Sequence, residues 1–253
     1  MVFLSLSWRQ PALGEENSPQ GARYRVEAGV LFGLLTFSMT GSIDEQIDRD
    51  AGRYRVVVAG QGPGIANRVE SSGVVRGRRL VPRATYSRFN IRGRDSWTAI
   101  TYDLDRGLID YNHVSHTFFL GRRREVHDVV RLGPEQPVDD VVTATLNYAQ
   151  NALDTDPSGA FQTYVVRRVR PEREAPDDVQ AGGYRAEIVP FVFRVTRDPV
   201  GGRDIATFDL SRFSSWARAE NPARITFGTN RRPDTITADL ILGTTVRITF
   251  ESG

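Results

Sequence analysis

The chain has no cysteine. That excludes disulfides, thiolate metal sites, a cysteine nucleophile and a lipidated N-terminal cysteine. It leaves the compartment open, because many exported proteins also lack cysteine. Lysine is absent too, so all 33 basic residues are arginine. Planar guanidinium forks suit carboxylates and phosphates. Here they are spread along the chain and nearly balanced by 31 acidic residues. A G- and C-rich genome explains such usage most simply. The net charge of +2 is no nucleic-acid footprint, and no nucleic-acid partner is expected.

No stretch approaches the roughly 18 apolar residues of a membrane span. The three histidines, His113, His116 and His127, are too few and too dispersed for a metal site. His113 and His116 stand three apart, so on a strand they face opposite sides. Gly60-Gln61-Gly62-Pro63-Gly64 lacks the Lys-Ser/Thr of a phosphate loop and reads as a turn or bulge. Asp154-Thr155-Asp156-Pro157-Ser158-Gly159 opens like a calcium loop, but its twelfth position is Val165, where a bidentate glutamate is needed. No G-x-S-x-G elbow occurs. Asp48, Asp50, Asp103, Asp105, Asp139 and Asp140 are available as carboxylate pairs, but turns and helix caps account for them. No metal, no cofactor and no catalytic residue are expected, and the chain is read as not an enzyme.

What is present is a rhythm. Short runs alternate apolar and polar residues, as in Arg23-Tyr24-Arg25-Val26-Glu27-Ala28, and are broken by Gly-, Pro- or Asp-containing turns. Alternation at period two marks half-buried strands. Strands are expected at about 22–29, 30–41, 53–60, 66–76, 81–91, 95–103 and 107–113. They resume at 160–170, 183–197, 204–210, 222–228, 234–241 and 244–251. Asp105-Arg106-Gly107 and Leu242-Gly243-Thr244 read as hairpin turns. Arg122-Arg123-Arg124 lies beside Phe118-Phe119-Leu120; such a run can face lipid headgroups or a polyanion, and a solvated strand or loop is its commoner fate.

One segment breaks the rhythm. Over 139–153, Val142, Leu146, Ala149 and Leu153 recur near helical spacing, and Asp139 or Asp140 can cap the first turn. The expected fold is mainly β: a large curved antiparallel sheet, open and barrel-like, with one amphipathic helix packed on it. Residues 22–253 form a single domain, because the two strand sets flank the helix. Residues 1–21 are a tail. Its apolar run Val2–Trp8, followed by Ala12-Leu13-Gly14, fits a truncated signal peptide or an anchor, residues 1–14, for an envelope partner.

Aromatic residues fall mostly within predicted strands. They form sheet core, or they leave part of a curved sheet as a groove for an acyl chain. Trp97 and Phe193, mid-strand in opposite halves, are the candidate lining residues.

The order of several short motifs resembles the exported bacterial family catalogued as domain of unknown function 3108. The match runs through Tyr24-Arg25-Val26-Glu27-Ala28-Gly29, Gly33-Leu34-Leu35-Thr36-Phe37 and Gly52-Arg53-Tyr54-Arg55-Val56. Next come Val69-Glu70-Ser71-Ser72-Gly73, Leu80-Val81-Pro82 and Asp140-Val141-Val142-Thr143-Ala144. It closes on Asn221-Pro222-Ala223-Arg224-Ile225 and Ala238-Asp239-Leu240. The resemblance covers about 22–251 and implies a Gram-negative envelope protein, periplasmic or associated with the outer membrane. It carries over no catalytic residues. The expected role is non-enzymatic: binding of a lipid or other hydrophobic ligand on the concave face. The alternatives are a structural subunit docked on an envelope or membrane complex and, third, an envelope hydrolase.

Overall fold

The structure is a computed structural model and describes residues 20–251, apart from 135, 172–173 and 181–182. The reading of residues 1–14 as signal remnant or anchor lies outside the described residues.

The first half is a meander of hairpins. Its strands are β1 (Gln20–Val30), β2 (Leu35–Asp48), β3 (Arg53–Gly62) and β4 (Ile65–Arg76), then β5 (Arg79–Ile91), β6 (Arg94–Asp103), β7 (Leu108–His116) and β8 (Arg123–Arg131). Helix α1 (Val141–Ala149) follows. The second meander is β9 (Asp154–Thr155), β10 (Phe161–Arg168), β11 (Ala186–Arg197) and β12 (Asp204–Phe208), then β13 (Ala223–Phe227), β14 (Pro233–Leu240) and β15 (Thr244–Glu251). Each strand pairs antiparallel with its chain neighbour except across the helix, and β15 returns to pair with β1. The described residues thus form one sheet of 15 strands whose free edges are β8 and β9.

The sheet curls without closing. Its ends overlap near β8 and β11, where side chains do the joining. Asp128 on β8 accepts the backbone amide of Ala186 at 2.9 Å. Arg124 on β8 donates to the carbonyls of Pro176 and Asp178 at 3.0 and 2.6 Å. Ile100, Tyr102, Ile109, Tyr111 and Val126 pack there against Tyr184 and Ala186, with Val166 and Ile188 beside them. Outward charges on β8, Arg123 and Glu125 among them, guard its edge against pairing with another chain.

The sequence reading assigns no strand to β8 (Arg123–Arg131) and misplaces the start of β2. The expected strand 30–41 begins only at Leu35, because Leu31–Leu34 form the β1–β2 turn. Leu31 and Phe32 there adopt φ of 54° and 57°, a region L-residues rarely occupy, and Gly33 follows at 85°. Pro82 lies within an inner strand, which its missing N–H should forbid. The sheet accommodates it with a register shift at Ser72/Gly73 directly opposite. A Cβ at Gly73 would come within 2.1 Å of the Val81 carbonyl oxygen, so only glycine fits.

Helix α1 is shorter than 139–153 but starts where the sequence places it. Asp140 is the N-cap, and it forms a reciprocal capping box with Thr143. Val142 and Leu146 turn to one side and pack on Tyr54, Val56 and Leu80 of the sheet. The seat beneath is polar. Asp140 accepts the hydroxyls of Ser71 and Thr85 at 2.6 and 2.5 Å. Asp139 accepts Arg79, Thr163 and Asn147 at 2.5, 2.5 and 2.8 Å. Burial pushes the Asp139 carboxyl above its ordinary range, against the pull of Arg79. Buried carboxylates so fully occupied hold a helix in one place, since any shift would strand them.

Candidate functional site: a cavity with two unlike walls

The helix forms the floor of a cavity of about 810 Å³ enclosed by the curled sheet. Val141, Ala144, Thr145 and Tyr148 recur at helical spacing on the face opposite the packed stripe, and all four line it. Cross-links brace this end. The Arg231 guanidinium lies 4.1 Å from the Tyr148 ring centre. The neighbouring Arg232 spans to Glu45 on β2, with Nη2 2.9 Å from Oε2. Water reaches the interior, since Val141 on the floor is 69 % exposed and Phe89 on the wall 41 %.

β4–β8 supply one wall. Alternation sends Ser96, Thr98, Ile100 and Tyr102 of β6 inward, along with Tyr111, His113 and Ser115 of β7 and Thr85 and Ser87 of β5. The register sets these residues in rows, with Thr98 beside His113. His113 Nδ1 lies 2.8 Å from Thr98 Oγ1, and its Nε2 lies 3.0 Å from Ser115 Oγ. Burial, reinforced by the charges of Arg168 and Arg124, pushes the imidazole down to about 4. It is therefore neutral at ordinary pH.

β11–β14 supply the other wall. Phe191, Phe193, Phe208, Ile225, Phe227 and Ile236 face inward. Phe193 stacks on Phe161 at 5.3 Å and meets Tyr148 edge-on at 5.4 Å. At the end away from the helix, Phe118 and Trp216 meet edge to face at 5.1 Å across the cavity margin.

Between the walls, at the overlap of the sheet ends, the cavity is cationic. Arg124, Arg168 and Arg170 all line it. Glu174 accepts two bonds from Arg168, both 2.7 Å, and one from Arg170 at 2.9 Å. Burial alone would raise the Glu174 carboxyl, but these bonds outweigh it and hold the group below its ordinary range.

Of the two expected lining residues, Phe193 is in the wall and Trp97 is not. Trp97 has the opposite parity to Ser96 and Thr98 on β6, which turns it to the outer face. The arginine run is divided by the same rule. Arg123 is exposed and pairs with Glu125, whereas Arg124 points inward. His113 and His116 have separate partners, since His116 Nδ1 lies 2.9 Å from the backbone oxygen of Asp95. Asp156 spends its carboxylate on the amides of Ser158 and Ala160, as a turn residue does. Asp48 and Asp103 likewise accept turn amides. Asp139 and Asp140 do reach the cavity floor, occupied as described above.

The hydroxyl wall was not picked out from sequence, and of the cationic seam only Arg124, within the Arg122-Arg123-Arg124 run, was. A signal existed, because β6 and β7 carry polar residues at both parities, which an ordinary core-facing strand does not.

No family model matches the chain, and no curated protein matches it. Two solved structures are similar over most of its length. One is a β-barrel-like protein of domain of unknown function DUF1849 from Brucella abortus, at 9 % identity and TM-score 0.43, covering 92 % of this chain and 96 % of that one. The other is a DUF1329 family protein from Desulfovibrio piger, at 7 % identity and TM-score 0.26, covering 94 % and 85 %. Neither bears the family designation that the sequence motifs resemble.

Proposed function

We propose that the protein is a non-enzymatic component of the bacterial cell envelope that binds a lipid or other hydrophobic ligand inside its curled sheet. The observation that carries this reading is the cavity, with one continuous wall of phenylalanine and isoleucine. Its volume lies within the roughly 300–1,000 Å³ of ordinary ligand pockets. A chain burying ten methylenes there would gain about 8 kcal/mol before ordering costs. The motif order resembling the exported family supports an envelope location.

Ser115 and His113 stand at the distance of a nucleophile and its base, and they are the best argument for a hydrolase. The depressed imidazole weighs against it, because a general base works best with a pKa near the operating pH.

A docked structural subunit is the second reading, and one observation favours it. Phe32 at the β1–β2 turn is 84 % exposed, Leu34 is 82 %, and Leu242 beside them is exposed as well. Such an apolar tip is suited to a membrane surface or a partner.

The test is titration of a fluorescent fatty-acid analogue into the purified protein. Saturable binding at micromolar concentration or below is expected. Absence of binding, together with cosedimentation with lipid vesicles that is lost in Phe32→Ser/Leu34→Ser, would replace the carrier reading with the docking one.

A further inference from the structure

We propose that the cavity takes single-chain amphiphiles with an anionic head, and that Arg124 is the residue that holds the head. The inference rests on the cavity being a ligand site and adds the chemical class of the ligand.

Arg124 is only 7 % exposed, yet it lines the cavity. Its Nε and Nη2 donate to backbone carbonyls of the 175–178 loop. Its Nη1 makes no hydrogen bond among the described residues, and no carboxylate there forms an ion pair with it. Carbonyl oxygens fix the guanidinium in place without cancelling its charge. Glu174 does not cancel it by contact either, because its two oxygens are taken up by Arg168 and Arg170. Three guanidiniums thus share one buried carboxylate. Asp177 accepts the amide of Leu120 at 2.7 Å, and it feels the charge of Arg124 without forming an ion pair with it.

A buried cation without a paired anion is costly, and a site that keeps one is suited to receive a negative group. Hydroxyls of the same wall can complete the shell, since Ser115 stands directly across from Arg124 in the β7–β8 register. His113, kept neutral mainly by burial and further by the charges of Arg168 and Arg124, adds no competing cation to the site. A head held at Arg124 leaves the tail free to lie along Phe191, Phe193 and Phe227, which line the same cavity. Neutral lipids would find the aromatic wall but nothing to satisfy the arginine.

The experiment compares decanoate, decyl phosphate and decanol on the full chain, by calorimetric titration. The two anionic amphiphiles should bind about ten- to a hundredfold more tightly than decanol, as a charge-assisted hydrogen bond allows. That preference should vanish in Arg124→Gln and persist in Arg123→Gln, its exposed neighbour. Equal binding of decanoate and decanol by the wild type would overturn the head assignment and leave the cavity reading standing. Binding of none of the three would overturn both. Inorganic phosphate competing as well as decyl phosphate would mark a free-anion site and overturn the amphiphile. A folded Arg124→Gln that keeps the preference would overturn the role of Arg124. Should Arg124→Gln fail to fold, the wild-type comparison and Arg124→Lys, which keeps the charge, decide the matter.

Discussion

The two walls of the cavity are built by the same rule and do different work. Each is a set of antiparallel strands whose alternate residues point inward. On β5–β7 serine, threonine and histidine alternate in space with Phe89, Ile91, Ile100, Tyr102 and Tyr111, and on β11–β14 the residues are phenylalanine and isoleucine. The aromatic wall is continuous with a core in which Tyr148 of the helix meets Phe161, Phe193 and Phe227 at 4.6–5.4 Å. It supports the fold and offers apolar surface together. The other wall packs through Ile100, Tyr102 and Tyr111 at the overlap of the sheet ends and presents hydroxyls between them. One surface is almost wholly apolar, and it faces one that mixes core residues with polar groups.

The sharpest way to break this comparison is to remove the floor on which both walls rest. Leu146 is 4 % exposed and packed on the sheet. An unpaired carboxylate there costs several kcal/mol, comparable with a whole domain stability of about 5–15 kcal/mol. Leu146→Asp should therefore be unfolded by circular dichroism at room temperature. A cooperative melt like that of the wild type would show that the helix does not hold the walls together.

Next comes the aromatic wall itself. Phe193 is 6 % exposed, so Phe193→Ala should cost about 3–5 kcal/mol in urea denaturation, along with lost affinity. Thr98→Val, on the hydroxyl wall, should cost about 1 kcal/mol. Equal losses would erase the distinction between the apolar surface and the polar groups facing it.

How legible was this division in the sequence? Alternation located nearly every strand, because a half-buried sheet imposes period two whatever its function. The helix start was legible from Asp140, Thr143 and the Val142–Leu146 spacing, which are local. The β1–β2 turn was hidden because only Gly33 marks it, while Leu31 and Phe32 before it take a left-handed conformation that apolar residues rarely adopt. Trp97 was misplaced for a different reason: parity fixes which residues share a face, but not which face is inner. The cationic seam was illegible because Arg124, Arg168 and Glu174 converge only when the two sheet ends overlap, a contact that no local pattern encodes.

A titration sharpens the electrostatic side. The pKa of His113 in the folded protein lies near 4, below the unfolded value of about 6.5. The unfolded chain therefore binds the extra proton first as pH falls. Stability from this group is complete above about pH 6.5 and is lost progressively down to about pH 4, by about 3 kcal/mol at most. His113→Gln should flatten the melting temperature against pH over that window. A profile parallel to the wild type would mean that the imidazole is not held neutral beside Arg168 and Arg124.

The central claim is that an apolar chain lies between these two walls. Trp216 lines the cavity margin, whereas Trp97 faces outward. A fatty acid brominated along its chain quenches only a tryptophan in contact with it. In a variant retaining Trp216 alone, titration should quench emission saturably at micromolar concentration or below. In one retaining Trp97 alone, the emission should stay unchanged. Quenching of Trp97 without Trp216, or of neither, would contradict a ligand held inside the sheet.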